Sequence, residues 1–446
     1  MERDAGRVDV LIAGGGVAAL EATLALRALA EDRVAITLVA PESDSVYRPL
    51  AVAEPFRVGE VRRFPLRPLV NAAGAELRQG SIAAVDPDRY VAIAEGGQEE
   101  LPYQVLLLAL GAVPRAALPG ALTFRGPEDG PALAALLEQA LEGQLRSLVF
   151  ALPAGVTWPL PLYELALLTG TLFTDRGTTG LELTLVTPEE APLGLFGSRA
   201  SEAIRELLET RGIALRTHST PMSFEEGALR LAPEGEIEGA AVVALPRLEG
   251  PRLAGVPCDP QGFVPTDEYG RVGSEVDVYA AGDLTQFPVK QGGIATQQAD
   301  TAAASIAARV GADVEPIPFK PVLRGLLLTG MVPRYLRAQV GTADSVADTE
   351  ALWWPPAKIV GRYLAPFLAE RLGLPETPPR TGAEDVSVEL ELSVGEPEST
   401  LRRITTPSRT TSSRITARPA LVTHLSSFGS STTTSAGGSG DGPLAS

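Results

Sequence analysis

The stretch Val8 to Ala19, VDVLIAGGGVAA, constrains the fold more than any other part of the chain. Val8 to Ala13 is a strand-like apolar run, three glycines follow, and Leu20 to Leu29 has the apolar spacing of a helix. Gly14, Gly16 and Ala19 stand in the G-x-G-x-x-G/A places, with Gly15 between the two glycines. Such a turn lets a dinucleotide pyrophosphate approach the backbone more closely than a Cβ allows. The helix behind it offers free N–H groups and a positive dipole end. The apolar run Ala35 to Ala40 closes a βαβ unit, and Glu42 lies just past it, where a carboxylate accepts hydrogen bonds from a ribose hydroxyl. The unit reads as one half of a nucleotide-binding fold; a glycine turn that serves packing alone is the alternative.

Composition narrows the function. Of 446 residues 45% are hydrophobic, which supplies cores for two or three domains. A net charge of −17 argues against a nucleic-acid partner, because neutralising phosphates needs clustered Lys and Arg. Cys258 is the single cysteine, so neither an internal disulfide nor a Cys-x-x-Cys site can form, and a reducing compartment is expected. His218 and His424 are the only histidines, which leaves no His-based triad or zinc site, and no metal is expected. No stretch reaches the roughly 18 apolar residues of a membrane span. The chain enters its first strand within ten residues, too soon for a signal peptide. The expected location is cytoplasmic or peripheral to the inner face of the membrane.

Along the chain, Tyr103 to Leu110 reads as a strand buried on both faces, leaving the sheet at Gly111. From Gly126 a second βαβαβ series begins, with strands at 147–152, 182–187, 213–216 and 240–245 and helices at about 160–170 and 198–211. Its first turn, Leu152 to Pro161, keeps only Gly155 and carries Pro153, Pro159 and Pro161, which remove N–H donors, so pyrophosphate should bind there poorly. Glu189 remains as a ribose acceptor in that unit. Val276 to Phe287 repeats the pattern of strand, glycine turn and carboxylate; Gly282 and Asp283 suit a ribityl or ribose hydroxyl, or an Asx turn. A helix from Ile294 to Val310 points its N-terminus at the same crevice. The resulting fold class is α/β, with two Rossmann-like nucleotide-binding-type domains, the second inserted in the first, plus a small C-terminal domain. The expected bounds are 1–125 and 251–315 for the first domain, 126–250 for the inserted one, 316–375 for the C-terminal one, and a disordered tail at 376–446. Leu352 to Gly373, with Trp353, Trp354, Tyr363 and Phe367, is expected to pack on the core or a second subunit in a homodimer; contact with a membrane interface is the alternative.

Taken together, GGGVAA, the strand ending ALGAVPR, and VYAAGDLTQFPVKQGG resemble the three FAD fingerprints of the FAD-dependent pyridine nucleotide-disulfide oxidoreductase superfamily. Within it the chain looks most like the branch of sulfide:quinone oxidoreductases and type II NADH dehydrogenases, without the redox cysteines. The resemblance implies FAD as cofactor, with Gly14, Gly15, Gly16, Ala19 and Glu42 at its adenosine diphosphate, Gly111 in a turn beside it, and Gly282, Asp283 and Gly293 at the ribityl and pyrophosphate region. VYRPLAVAEPF, with Arg48, resembles the loop beside the isoalloxazine, and Gln297 and Ala299 resemble part of a quinone-site pattern. Lys290 is the candidate electrostatic residue, since a cation beside the flavin pyrimidine edge stabilises the anionic reduced ring. The single cysteine excludes thiol chemistry, and the missing second G-x-G-x-x-G speaks against a nicotinamide donor. The expected activity is electron transfer from a small-molecule donor through FAD to a quinone or other acceptor. An NAD(P)H dehydrogenase with a degenerate site and an FAD-binding protein without turnover are the alternatives.

Overall fold

The computed structural model describes residues 7–238, 240–273, 277–340 and 345–372, and the tail expected at 376–446 lies outside them. The first βαβ unit forms as its pattern dictates. The strand Val8–Ala13 runs parallel to Val34–Ala40 on one side and to Val105–Leu108 on the other, with helix α1 (Val17–Ala30) between the first two. The full sheet places Val278–Ala280, Val105–Leu108, Val8–Ala13, Val34–Ala40 and Glu76–Gln79 side by side, all parallel. Val105–Leu108 is buried at every residue, as a central strand covered on both faces must be. The short helix α2 (Leu66–Ala72) precedes the edge strand.

A second parallel sheet, ordered Leu122–Thr123, Ala240–Ala244, Ser147–Ala151, Glu182–Val186, Ile213–Arg216, carries helices α3 (Gly130–Leu141), α4 (Leu160–Asp175) and α5 (Ser198–Thr210). The antiparallel strands Thr220–Glu225, Ala228–Ala232 and Glu236–Glu238, a three-stranded extension, have no counterpart in the sequence reading. The chain passes from one sheet to the other twice, and the two passages pair with each other as a short antiparallel ribbon, Val113–Arg115 against Arg247–Glu249.

The chain then returns to the first sheet at Val278–Ala280 and enters helix α6 (Gly292–Arg309), which packs along α1. A three-stranded antiparallel sheet, Val322–Leu327, Arg334–Gln339 and Ser345–Asp348, lies against α4 through Leu323, Leu327, Leu336 and Ala338. The sequence spacing of Leu352 to Gly373 suggests one long segment; the helix present is the short α7 (Leu364–Arg371). Pro355 and Pro356 break the backbone before it, since proline cannot supply the interior N–H. Trp353 packs edge-on to Tyr335 with ring centres 5.0 Å apart and donates from its indole N–H to the Ala357 carbonyl at 2.9 Å, so this aromatic serves internal packing. No described helix is long and apolar enough to cross a membrane.

Candidate functional site

The glycine turn after Ala13 is shaped by close approach. A Cβ on Gly14 would lie 2.2 Å from the Ala109 carbonyl oxygen, and one on Gly15 would meet Ala40 and Leu66 at 2.9 Å. These two glycines are therefore required by the protein itself, where the end of Val105–Leu108 and the end of Val34–Ala40 crowd the turn. Gly16 differs: a Cβ there would meet nothing within 4 Å. Behind it, the N-terminus of α1 has no side-chain cap and no acidic residue in its first turn. Ala19 is fully buried under the turn. The exposed Glu42 brings its carboxylate to 3.5 Å from where a Gly15 Cβ would sit. Open space, uncapped N–H groups and a carboxylate at one sheet edge fit a diphosphate with a ribose beside it.

The return segment meets this turn from the other side. Gly282 takes a positive φ of 82° with Ala18 of α1 beneath it, where a Cβ would meet the Ala18 Cβ at 3.0 Å. Its N–H donates to Gln298 Oε1 at 2.8 Å. The sequence thus brings Gly282 and Asp283 against α1, and Gly111, with φ 71°, faces open space at the end of the neighbouring strand. Gly293 lies in the first turn of α6, where the Gln291 side chain accepts the Ile294 N–H at 2.8 Å and caps the helix.

From Asp283 onward the elements enclose a cavity of about 300 Å³ between the two sheets and the C-terminal sheet. Arg48, Asp283, Lys290 and Gln291 line it from the first unit, Trp158, Leu160 and Glu164 from α4 and the turn before it, and Arg324, Lys358 and Ile359 from the C-terminal part. Lys290 is buried: its ammonium donates to the Thr285 carbonyl and lies 3.7 Å from the centre of the Phe263 ring. Burial pushes its pKa down to about 8, opposed by the carboxylates of Asp283 and Asp259. Burial likewise raises Asp283, and Lys290 pulls it back. The two charges therefore support one another at the cavity wall.

A buried ion pair at this wall escaped the sequence reading. Glu164, with no exposed surface, accepts from Lys358 Nζ at 2.6 and 2.7 Å, and its Oε1 also accepts the Leu328 N–H at 2.9 Å. Burial pushes the pKa of Glu164 up and that of Lys358 down, while each charge favours the other. The partners lie 194 residues apart, so no local spacing announces them. The available signal is Glu164 itself, a lone carboxylate in the apolar run LPLYELALLTG that opens α4.

The second, glycine-poor turn lines the cavity with Val156, Thr157 and Trp158. Pro159 and Pro161 sit at the start of α4, and Trp158, in the turn before it, packs edge-on to Phe196 with ring centres 5.8 Å apart. Glu189, expected as a ribose acceptor, accepts instead from the Tyr163 hydroxyl at 2.6 Å and from the Thr187 hydroxyl at 2.9 Å on the same oxygen. Its partial burial favours this arrangement, since a carboxylate drawn out of water needs donors. Gln297 is likewise committed: it donates to the carbonyls of Gly293 and Val322 at 2.6 and 2.9 Å and accepts the Val322 N–H at 2.9 Å. It fastens the C-terminal sheet to α6 and does not line the cavity.

Two more contacts fix the C-terminal part. Glu21 of α1 is fully buried and accepts the N–H groups of Tyr363 and Leu364 at 2.8 and 2.7 Å, at the start of α7. The Asp300 carboxyl of α6 is within hydrogen-bonding reach of Glu21. The Ile359 N–H donates to the Tyr47 hydroxyl at 2.9 Å. Beside Tyr47 and Ile359 a narrow apolar slot of about 40 Å³ runs between Leu50, Phe64 and the α7 residues Leu364 and Leu368. Ile359 borders both the slot and the cavity.

Residues 165–305 match the family model described as pyridine nucleotide-disulphide oxidoreductase. The fold is similar to that of the sulfide:quinone oxidoreductase from the hyperthermophilic bacterium Aquifex aeolicus, at TM-score 0.66 and 17% identity over 76% of this chain and 86% of that one. It is also similar to a ferredoxin reductase from Rhodopseudomonas palustris, at TM-score 0.57 and 19% identity over 76% and 91%. A third likeness is to NDH2 from Plasmodium falciparum solved in complex with NADH, at TM-score 0.50 and 14% identity over 63% and 64%. No curated protein matches the sequence.

Proposed function

We propose that this chain, whose residues 165–305 match the pyridine nucleotide-disulphide oxidoreductase model and whose fold is similar to that of a sulfide:quinone oxidoreductase, is an FAD-dependent oxidoreductase whose donor is neither a nicotinamide nor a thiol. The observation that carries the reading is the meeting, at one cavity, of four stretches far apart in sequence: Arg48, Glu164, the pair Asp283 and Lys290, and Lys358, which pairs with Glu164. The uncapped α1 N-terminus, Gly16 and Glu42 would hold the adenosine diphosphate end. Asp283 would accept from a ribityl hydroxyl, and Lys290 would face the pyrimidine edge. FAD held by these residues would supply two-electron chemistry. The chain's own part is to hold charge and protons: the Lys290 ammonium offsets negative charge, and the Glu164 carboxyl and Lys358 amine exchange a proton at the wall.

The proline-rich, glycine-poor turn before α4 and the committed carboxylate of Glu189 support exclusion of NAD(P)H. The exposed Cys258 has no second cysteine to pair with. For the acceptor we propose a quinone, because the slot beside the cavity, which shares Ile359 with it, is lined by apolar residues such as Leu50, Phe64, Leu364 and Leu368.

The test is the visible spectrum of the purified protein, followed by anaerobic titration with NADH, NADPH and sulfide. A yellow protein that none of the three bleaches is the expected result. A colourless protein that takes up no added FAD would sink the reading, and bleaching by NADH would sink the exclusion of nicotinamide. Asp283→Ala should lower the flavin content of the purified protein several-fold, the loss of a buried charge-assisted hydrogen bond; unchanged occupancy would remove Asp283 from the site.

A further inference from the structure

Arg324 and Arg337 sit directly opposite one another on neighbouring strands of the C-terminal sheet. Both are half-buried, and Arg324 lines the cavity. Like charges directly opposite on a sheet repel, and burial together with Arg337 lowers the pKa of Arg324. Nearby acids are already engaged: Glu164 with Lys358, Asp283 with Lys290, and Asp348 with Arg334. Among the described residues neither guanidinium has an ion pair or a side-chain hydrogen bond. Two half-buried cations set side by side with no counter-charge leave their N–H forks free for an anion, and a guanidinium fork matches a carboxylate in a bidentate fashion. Trp158, Leu160 and Leu326 add apolar surface to the same cavity lining.

We propose that Arg324 and Arg337 form an anion-binding site that gives the cavity a small organic acid as substrate, with its carboxylate on the two arginines and an apolar body against Trp158 and Leu326. The proposal rests on the reading that this cavity is where substrate meets the flavin.

The probe is benzoate, with benzamide as the uncharged molecule of the same shape, titrated calorimetrically into the purified full chain. Benzoate should bind at least roughly tenfold more tightly than benzamide, and Arg324→Gln and Arg337→Gln should each weaken benzoate by about tenfold while leaving benzamide unchanged. In buffer without benzoate, Arg337→Gln should melt no lower than the wild type, because it removes a repulsion. Equal binding of the two probes, binding of neither, wild-type benzoate affinity in Arg324→Gln, or a lowered melting temperature in Arg337→Gln would each overturn the site. The visible spectrum separates the two readings. A colourless protein that binds benzoate through Arg324 sustains the anion site and defeats the flavin reading; a yellow protein indifferent to benzoate does the reverse.

Discussion

Replacing Lys358 with methionine is expected to destabilise the folded chain by about 3–5 kcal/mol, and adding Glu164→Gln to recover most of that loss. The single variant leaves a carboxylate buried with only the Leu328 N–H to solvate it. The double variant removes both charges, and the glutamine oxygen still accepts from Leu328. Urea unfolding of the two variants and the wild type measures this directly. Activity should not follow stability. If the pair exchanges a proton at the cavity wall, the double variant keeps its flavin while its turnover falls by about a hundredfold or more, the usual weight of a positioned acid or base. Wild-type turnover in the double variant would leave the pair a purely structural role.

The second large effect concerns the carboxyl pair that holds α7. Burial, and after it the neighbouring Glu21 carboxylate, push Asp300 up to about 8, while Arg362 acts in the opposite sense. The other charged and titratable neighbours are Glu21 on α1, itself raised by burial, and Tyr363 at the start of α7. A folded chain that holds this proton binds one more proton than the unfolded chain between about pH 4 and about pH 8. The pair's contribution to stability is therefore complete below about pH 4, declines as pH rises, and is lost above about pH 8. The wild-type melting temperature should fall through this window. Asp300→Asn, which donates a hydrogen bond to Glu21 without titrating, should flatten that slope and melt higher than the wild type at pH 8. Tryptic cleavage next to Arg362 and Arg371 should accelerate with pH in the wild type beyond the protease's own pH dependence, and should not in the variant. Parallel melting curves for the two proteins across the window would refute the shared proton.

The sequence displays what is local. The glycine turn, the alternation of strands and helices through both sheets, and the carboxylate after Gly282 depend on residues within a few positions of each other, so spacing reveals them. The contacts that close the cavity are of another kind. Glu21 meets Leu364 across 343 positions, and Glu164 meets Lys358 across 194. In VAALEATLALRALA and LPLYELALLTG each of these glutamates is the one carboxylate in an apolar helical run, the only trace either leaves in the sequence. Glu189 shows the opposite failure: an acid after a strand looks like a ribose acceptor until Tyr163 is seen to occupy it. Gln297 resembles a quinone ligand in sequence, yet its amide is consumed by the backbone of Val322.

The ribbon joining the two sheets has a mechanical consequence. Two independent connections would let the sheets both bend and twist against each other. Here Val113 pairs with Glu249, Pro114 with Leu248 and Arg115 with Arg247, so the passages act as one strip that bends far more readily than it twists. Pro114 and Leu248 also line the cavity. Bending of the strip therefore widens or narrows the gap across which Arg48 faces α4, and leaves the alignment of the two sheets along it unchanged.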